Sequence, residues 1–164
     1  MSQLNNTTWV TKHFSDLSVA EVYEMLRLRS DVFVVEQHCI FLDADNNDQK
    51  AYHVLGYVNG ELVATTRLFD KDIVYKGYQS IGRVANAAKF RGMGIGKKLM
   101  QYSIEQCEQL FGKGPIKIGA QLYLKRFYND TTINFTPKLH FLHKTCHPPP
   151  NNFTISPAIA NQSK

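Results

Sequence analysis

Between Arg91 and Gly96 the chain reads Arg-Gly-Met-Gly-Ile-Gly, three glycines at every second position with a lysine pair directly behind them. Behind the glycines, Ile95, Leu99, Ser103/Ile104, Cys107 and Leu110/Phe111 recur at helical spacing, and Gly112 to Pro115 ends the pattern. Ahead of them, Gln79 to Asn86 reads as a strand. The glycines therefore form the turn from a strand into a helix. Main-chain N–H groups of such a turn converge on one anion, glycines let it approach closely, and the helix dipole adds roughly 0.3–1 kcal/mol. A plain tight turn is the alternative reading of the same residues.

Spacing excludes two familiar phosphate motifs. A dinucleotide fingerprint needs glycines at its first, third and sixth positions. Counting from Gly92 the sixth position is Lys97, and from Gly94 it is Leu99. A P-loop needs a glycine five residues before Gly96 and Ser or Thr after Lys97, where this chain has Arg91 and Lys98. A pyrophosphate fits what remains, with Arg91 and the lysines reaching further phosphates. The net charge of +5 agrees with a polyanionic ligand or a nucleic acid. Lys89, Arg91, Lys97 and Lys98 cluster around the glycines, which favours a local phosphate site, and no recognition helix or aromatic-basic surface supports nucleic-acid binding.

The chain of 164 residues is long enough for one domain with a real core. Its ordinary apolar and charged content and the absence of a membrane-length apolar run predict a soluble protein with no membrane partner. An N-terminus without a signal-peptide core predicts a cytoplasmic location. Three widely spaced cysteines show no disulfide framework, so reduced thiols are expected.

Trp9 to Phe14 reads as a first strand. Ser18 and Glu21 form a capping box for a helix whose apolar face is Val19, Val22, Tyr23 and Leu26. Asp31 to Gln37 looks extended and buried. The clearest local signal is Ala51 to Phe69, two β-rich runs about Asn59-Gly60, the favoured hairpin turn. Ile116 to Gln121 is a short strand and Leu122 to Asp130 a short helix. The order predicts a mixed α+β sandwich, antiparallel strands leading into a βαβ unit. Residues 131–164 hold no acidic residue and five of the six prolines, which predicts a poorly ordered tail with a strand near Ile133–Leu142.

With these residues in view, Arg91 to Met100 after a strand resembles the coenzyme A motif of the GNAT superfamily of acetyltransferases. Val84-Ala85-Asn86 corresponds to the motif's preceding strand, with Asn86 in place of a valine, and Ile116 to Tyr128 resembles the second motif. Leu26 to Cys39, Asp43 to Asp48, His53 to Tyr57, Thr66-Arg67-Leu68 and Ile81 to Val84 resemble the ElaA-like group of that superfamily. The similarity covers about residues 15 to 130. It implies an α+β GNAT-like fold with a mixed, mostly antiparallel sheet flanked by helices. It also implies an N-acyltransferase that uses acetyl-CoA as cosubstrate, without a metal, and a primary amine, small molecule or peptide, as acceptor.

The resemblance assigns the pyrophosphate to Arg91, Gly92, Met93, Gly94, Ile95, Gly96 and Lys97. The pantetheine arm falls to the backbone of Val84, Ala85 and Asn86, where one amide would polarise the thioester carbonyl. Tyr128 matches the family's tyrosine near the sulfur and is expected as general acid; a core aromatic is the other reading. Glu36, ending the run Val32 to Val35, is the expected base, its pKa raised by partial burial, or else a carboxylate that holds a loop. His53 is a second candidate base, or a hydrogen-bonded core histidine. Arg67 and Arg83 either face an anionic acceptor or pair structural acids. Asp43, Asp45 and Asn47 start like a calcium loop, but Asp48 stands in place of the turn glycine and Val54 in place of the final glutamate, so a turn held by aspartates is expected. The irregular spacing of His140, His143, Cys146 and His147 disfavours zinc.

After Tyr128 the family's Gly-Phe signature and its last strand pair are not recognisable. The division is therefore residues 1–130 as the acyltransferase domain and 131–164 as an atypical C-terminal segment. Impaired activity, or a non-catalytic CoA-binding or interaction domain, is the competing expectation. Acceptor identity and oligomeric state cannot be read from the residues.

Overall fold

The computed structural model describes residues 7–120 and 139–143. Among the described residues six strands form one sheet in chain order: β1 (Thr7–His13), β2 (Tyr52–Val58), β3 (Glu61–Phe69), β4 (Gln79–Asn86), β5 (Ile116–Ala120) and β6 (Leu139–His143). The first four pair antiparallel. β4 to β5 and β5 to β6 are parallel. Helix α1 (Val19–Ser30) follows β1, and helix α2 (Ile95–Phe111) makes the crossover from β4 to β5, closing the βαβ unit expected from the sequence.

The hairpin forms as its turn residues require. Asn59 (φ 51°) and Gly60 (φ 80°) both take the left-handed conformation that a two-residue hairpin turn needs. Ser18 caps α1 and Glu21 closes the reciprocal capping box. Gly112, at φ 78°, ends α2.

The helices cover opposite faces of the sheet. Ile95, Leu99, Met100, Ile104 and Cys107 of α2 pack against Val54, Leu68, Ile81, Ile116 and Ile118. Each fully buried Leu or Ile there contributes about 1.5–3 kcal/mol relative to exposure. Among the described residues, polar ties join α2 to the sheet at two places: the buried Thr66–Ser103 hydroxyl pair at 2.8 Å, and the Gln79 side-chain amide, which donates to the Gly112 carbonyl at 2.8 Å. On the other face Met25, Leu28 and Val32 meet Leu55, Leu62 and Ala85.

Three local expectations need correction. Val19 and Tyr23 of α1 are exposed, and the inward positions are Met25, Leu28 and Arg29. An arginine on the buried face shifts the stripe that an apolar count would find. Asp31–Glu36 is a π-helical turn continuing α1, with Val32 alone fully buried, and is not an extended segment. Cys39 is disulfide-bonded, against the expectation of reduced thiols, while Cys107 is free and buried. The short helix expected at Leu122–Asp130, with Tyr128 on it, lies outside the described residues, as do Cys146 and His147. The tail strand expected near Ile133–Leu142 has its counterpart in β6.

Candidate active site

Two irregularities of β4 create the site. Thr65 pairs with Ala85 and Arg67 with Gly82, so β3 advances two residues while β4 advances three. The surplus is a β-bulge at Arg83, whose φ of 51° is a left-handed conformation costing a non-glycine residue about 1–2 kcal/mol. On its other edge β4 pairs with β5 only through Gln79–Ile116, Ser80–Lys117 and Ile81–Ile118. From Gly82 to Asn86 that edge of β4 has no strand partner among the described residues. The sheet therefore opens at the bulge, leaving the β5-facing edge of β4 from Gly82 to Asn86 without a strand alongside it among the described residues. Asn86 adds a buried side-chain Oδ1 with no hydrogen-bond partner among the described residues.

The glycine turn lies four residues beyond β4, after a short 3₁₀ turn at Ala88–Phe90. Gly92 (φ 75°) and Gly94 (φ 81°) are left-handed, and a Cβ on either would meet nothing within 4 Å. That open space is where an anion would approach. Gly94 is the N-cap of α2 and supplies no capping side chain, so the amides of the first turn lack a side-chain partner. Arg91, Gly92, Met93 and Lys97 are exposed, while Ile95 anchors the turn in the core. Left-handed glycines before an uncapped helix fit a phosphate group well.

Arg91 is engaged in two directions. Its guanidinium donates to the Asn86 carbonyl from Nε (3.2 Å) and Nη2 (3.0 Å). It also forms a bidentate pair with Glu36, with Nη2 at 2.8 Å from Oε2 and Nη1 bonded to Oε1. The candidate base thus touches the candidate cradle across 55 residues of sequence. The Arg91 hydrogen bonds hold the Glu36 carboxyl below its ordinary value. The expected upward shift from burial is corrected, because the π-helical turn leaves Glu36 exposed and directed at a cation. Glu36 also borders a cleft of about 360 Å³, whose lining includes Glu24, Asp31, Val32, Leu62 and Ala87.

His53, Arg67 and Arg83 meet on the α1 face of the sheet in one ionic cluster. Arg29 of α1 donates to Asp43 from Nε at 2.8 Å and to Asp48 from Nη1 at 2.6 Å. Arg67 grips Asp45 with both terminal nitrogens at 2.7 Å and reaches Asp48 at 2.9 Å. Arg83 lies 2.7 Å from Asp43 through Nε, a charge contact out of line for a hydrogen bond, and donates to Asp45 from Nη2 at 3.1 Å. Three arginines from three elements meet three aspartates of one loop. Asp45 is held well below the usual carboxylate range, chiefly by hydrogen bonding to Arg67. For Asp48 burial alone would raise the pKa, but the Arg29 and Arg67 bonds outweigh it and the net shift is downward.

His53 is fully buried, and desolvation pushes its pKa down to about 4, so its imidazole is neutral at pH 7. Its Nε2 lies 3.1 Å from the Asp48 carbonyl. Arg67 and Arg83 spend their guanidinium groups on intramolecular acids. Asp45 also accepts from the Asn47 amide, the aspartate-held turn expected for this loop. Sequence reasoning missed Arg29 altogether; its signal was one arginine two positions after another on a helix, which reads as solvated surface.

The comparisons with known proteins agree with this geometry. Residues 19–141 match the family model described as the acetyltransferase (GNAT) family. Protein ElaA of Escherichia coli (strain K12) is 39% identical over 124 residues, covering 74% of this chain and 80% of that protein. The crystal structure of Escherichia coli ElaA superposes with a TM-score of 0.71 at 38% identity, over 76% of this chain and 84% of that one. An acyl-CoA N-acyltransferase from Pseudomonas aeruginosa superposes with a TM-score of 0.72 at 35% identity, over 76% and 86% of the two chains. A mixed sheet opened at a β4 bulge, a glycine turn at the mouth of α2 and these similarities lead to one conclusion: the chain belongs to the GNAT family of acetyltransferases and is similar to the ElaA proteins.

Proposed function

We propose that this chain is an active N-acyltransferase that moves an acetyl group from acetyl-CoA directly to a primary amine. The observation that carries the proposal is the uncapped start of α2 behind two left-handed glycines, at the end of the opened edge of β4. Bound acetyl-CoA would supply an activated thioester carbonyl. Amides of Gly92 to Lys97, with the Arg91 guanidinium, hold the pyrophosphate. Backbone groups of Val84 to Asn86 bind the pantetheine arm, and one amide there polarises the carbonyl oxygen.

The reaction forms a C–N bond and breaks a C–S bond: an ammonium acceptor first loses one proton to solvent to become a nucleophile, the attacking amine loses a second as the bond forms, and the leaving sulfur gains one. Glu36 takes the amine proton in this reading, once Arg91 has turned from it to the phosphates. Tyr128, which lies outside the described residues, is the proposed acid on the strength of its place in the second motif. The cleft beside Glu36 also carries Glu24, Asp31 and Glu61 against Arg27 and Lys89, with Lys89 paired to Glu61, and the remaining acidic excess supports an acceptor that arrives as an ammonium ion. Burial and internal pairing of His53, Arg67 and Arg83 support a structural part for them over acceptor contact.

Residues 1–130 carry the acyltransferase unit in this proposal and 131–164 the C-terminal segment, in a cytoplasmic protein. Among the described residues no helix is long and apolar enough to cross a membrane. Neither the relatives nor the geometry lends support to impaired activity. The test is release of free CoA from acetyl-CoA in the presence of a panel of polyamines, amino sugars and peptides. Amine-dependent release is expected, and Tyr128→Phe should lower turnover by roughly 10²-fold with little change in CoA affinity. Tight binding with no turnover on any amine would contradict the enzyme reading.

A further inference from the structure

We infer that Asp43 and Asp45, acting through Arg83, are positioning residues that hold the β4 bulge and thereby set the opened β4 edge for the thioester. The inference rests on the cofactor reading above and adds a function for the acidic loop.

The first support is the direction of the Arg83 side chain. Directly paired residues share a face of the sheet, so Gly82 lies on the face of Arg67 and His53. Regular alternation would then send residue 83 to the α2 side. Its guanidinium instead meets Asp45, the carboxylate that Arg67 grips, so it lies on the α1 side. Val84 packs against the α2 core and Ala85 against the α1 core. Arg83 is thus the inserted residue, and the bulge re-aims it.

The second support is that the anchor exists without Arg83. Arg29 holds Asp43 and Asp48, and Arg67 holds Asp45 and Asp48, so the acids are fixed by α1 and β3. Arg83 docks onto carboxylates already in place. Its left-handed backbone would otherwise relax, and relaxation would restore alternation and slide Val84 to Asn86 by one residue along β3. Those are the residues of the opened β4 edge, to which the cofactor reading assigns the pantetheine arm. The bracket also sits at the row where β4 and β5 separate, since Arg67 pairs with Gly82, next to Ile81 at the last β4–β5 pair.

The test compares Arg83→Ala with Arg83→Gly. Both remove the guanidinium, but glycine adopts φ near +50° without penalty. Two readouts are needed: amide hydrogen exchange at Val84 to Asn86 without ligand, and acetyl-CoA affinity by calorimetry, with thermal melts to verify folding. Arg83→Ala should speed exchange and weaken acetyl-CoA binding, each by ~10-fold, and Arg83→Gly should recover most of both. If the alanine variant does not fold, Arg83→Lys replaces it and should show a smaller loss of the same kind. Equal impairment of alanine and glycine variants, or wild-type behaviour of both, would overturn the inference. A wild-type chain that fails to bind acetyl-CoA would refute the cofactor reading, while the exchange measurements would still decide the bracket.

Discussion

The two faces of the sheet are held by different physics. Under α2 lies a dry apolar layer in which Leu99, Met100 and Ile104 have no accessible surface. Under α1 a smaller apolar group gives way to six buried or half-buried charges and a neutral histidine. The apolar face sets the scaffold, because non-directional burial tolerates small adjustments. The charged face sets one loop and one bulge, because each hydrogen bond there has a required length and direction. The proposed cofactor site at the opened edge of β4 lies between these faces, with scaffold stiffness from one side and directional control from the other.

Breaking each face separately sharpens the contrast. Arg29→Leu leaves Asp48 and Asp43 each short of a cation in a buried setting and should cost about 4 kcal/mol, read from urea unfolding. Leu99→Ala on the apolar face should cost about 3 kcal/mol by loss of burial and a residual cavity. The two should differ in kind. Raised salt should deepen neither loss much, but Arg29→Leu should also loosen the Asp43–Asp48 loop in hydrogen exchange, while Leu99→Ala should leave that loop protected.

Acidification should affect the charged face in two stages. His53 has a folded pKa of about 4 against an unfolded value of 6.5, so between these limits the unfolded chain binds a proton that the folded chain refuses. Stability should therefore fall as pH drops through that window, by on the order of 2–3 kcal/mol, and His53→Gln should flatten the decline. Below about pH 4 the depressed aspartates Asp45 and Asp48 take over: their contribution is present above the unfolded carboxylate value and is lost as pH falls further. Thermal melts from pH 7 to pH 3 for both proteins check both signs.

The smallest effect belongs to the Glu36–Arg91 pair. Its side chains are 43% and 41% exposed, so Glu36→Gln should change stability by less than ~0.5 kcal/mol while lowering turnover. A large loss of stability with normal turnover would make the pair structural.

The apolar face was largely legible in the sequence. Ile95 to Cys107 repeats at helical spacing, Asn59-Gly60 marks a hairpin, and the glycine turn lies between the strand and helix expected on either side. These are local patterns with one physical cause each. The charged face was not legible, because Arg29 finds Asp48 across 19 residues and Arg83 finds Asp45 across 38. No period links them. The aspartate-held turn is visible at Asp45 to Asn47, and pairing of Arg67 and Arg83 with structural acids is one of the two readings their positions allow, but nothing in the residues says which acids they meet. Glu36 stands out in the sequence as the carboxylate ending Val32 to Val35, but the burial expected for it does not hold, because the π-helical turn that exposes it and points it at Arg91 leaves no simple trace in the residues.

The central claim is that Arg91 to Lys97 cradles the phosphates of acetyl-CoA, and calorimetric titration of acetyl-CoA into the wild type and Gly94→Val tests it most directly. Gly94 stands at φ 81° with open space where a Cβ would go, so valine strains the turn and fills the approach to the first-turn amides. The account predicts saturable binding by the wild type and at least ~10-fold weaker binding by a variant that still melts cooperatively. Equal affinity in the two folded proteins would contradict it.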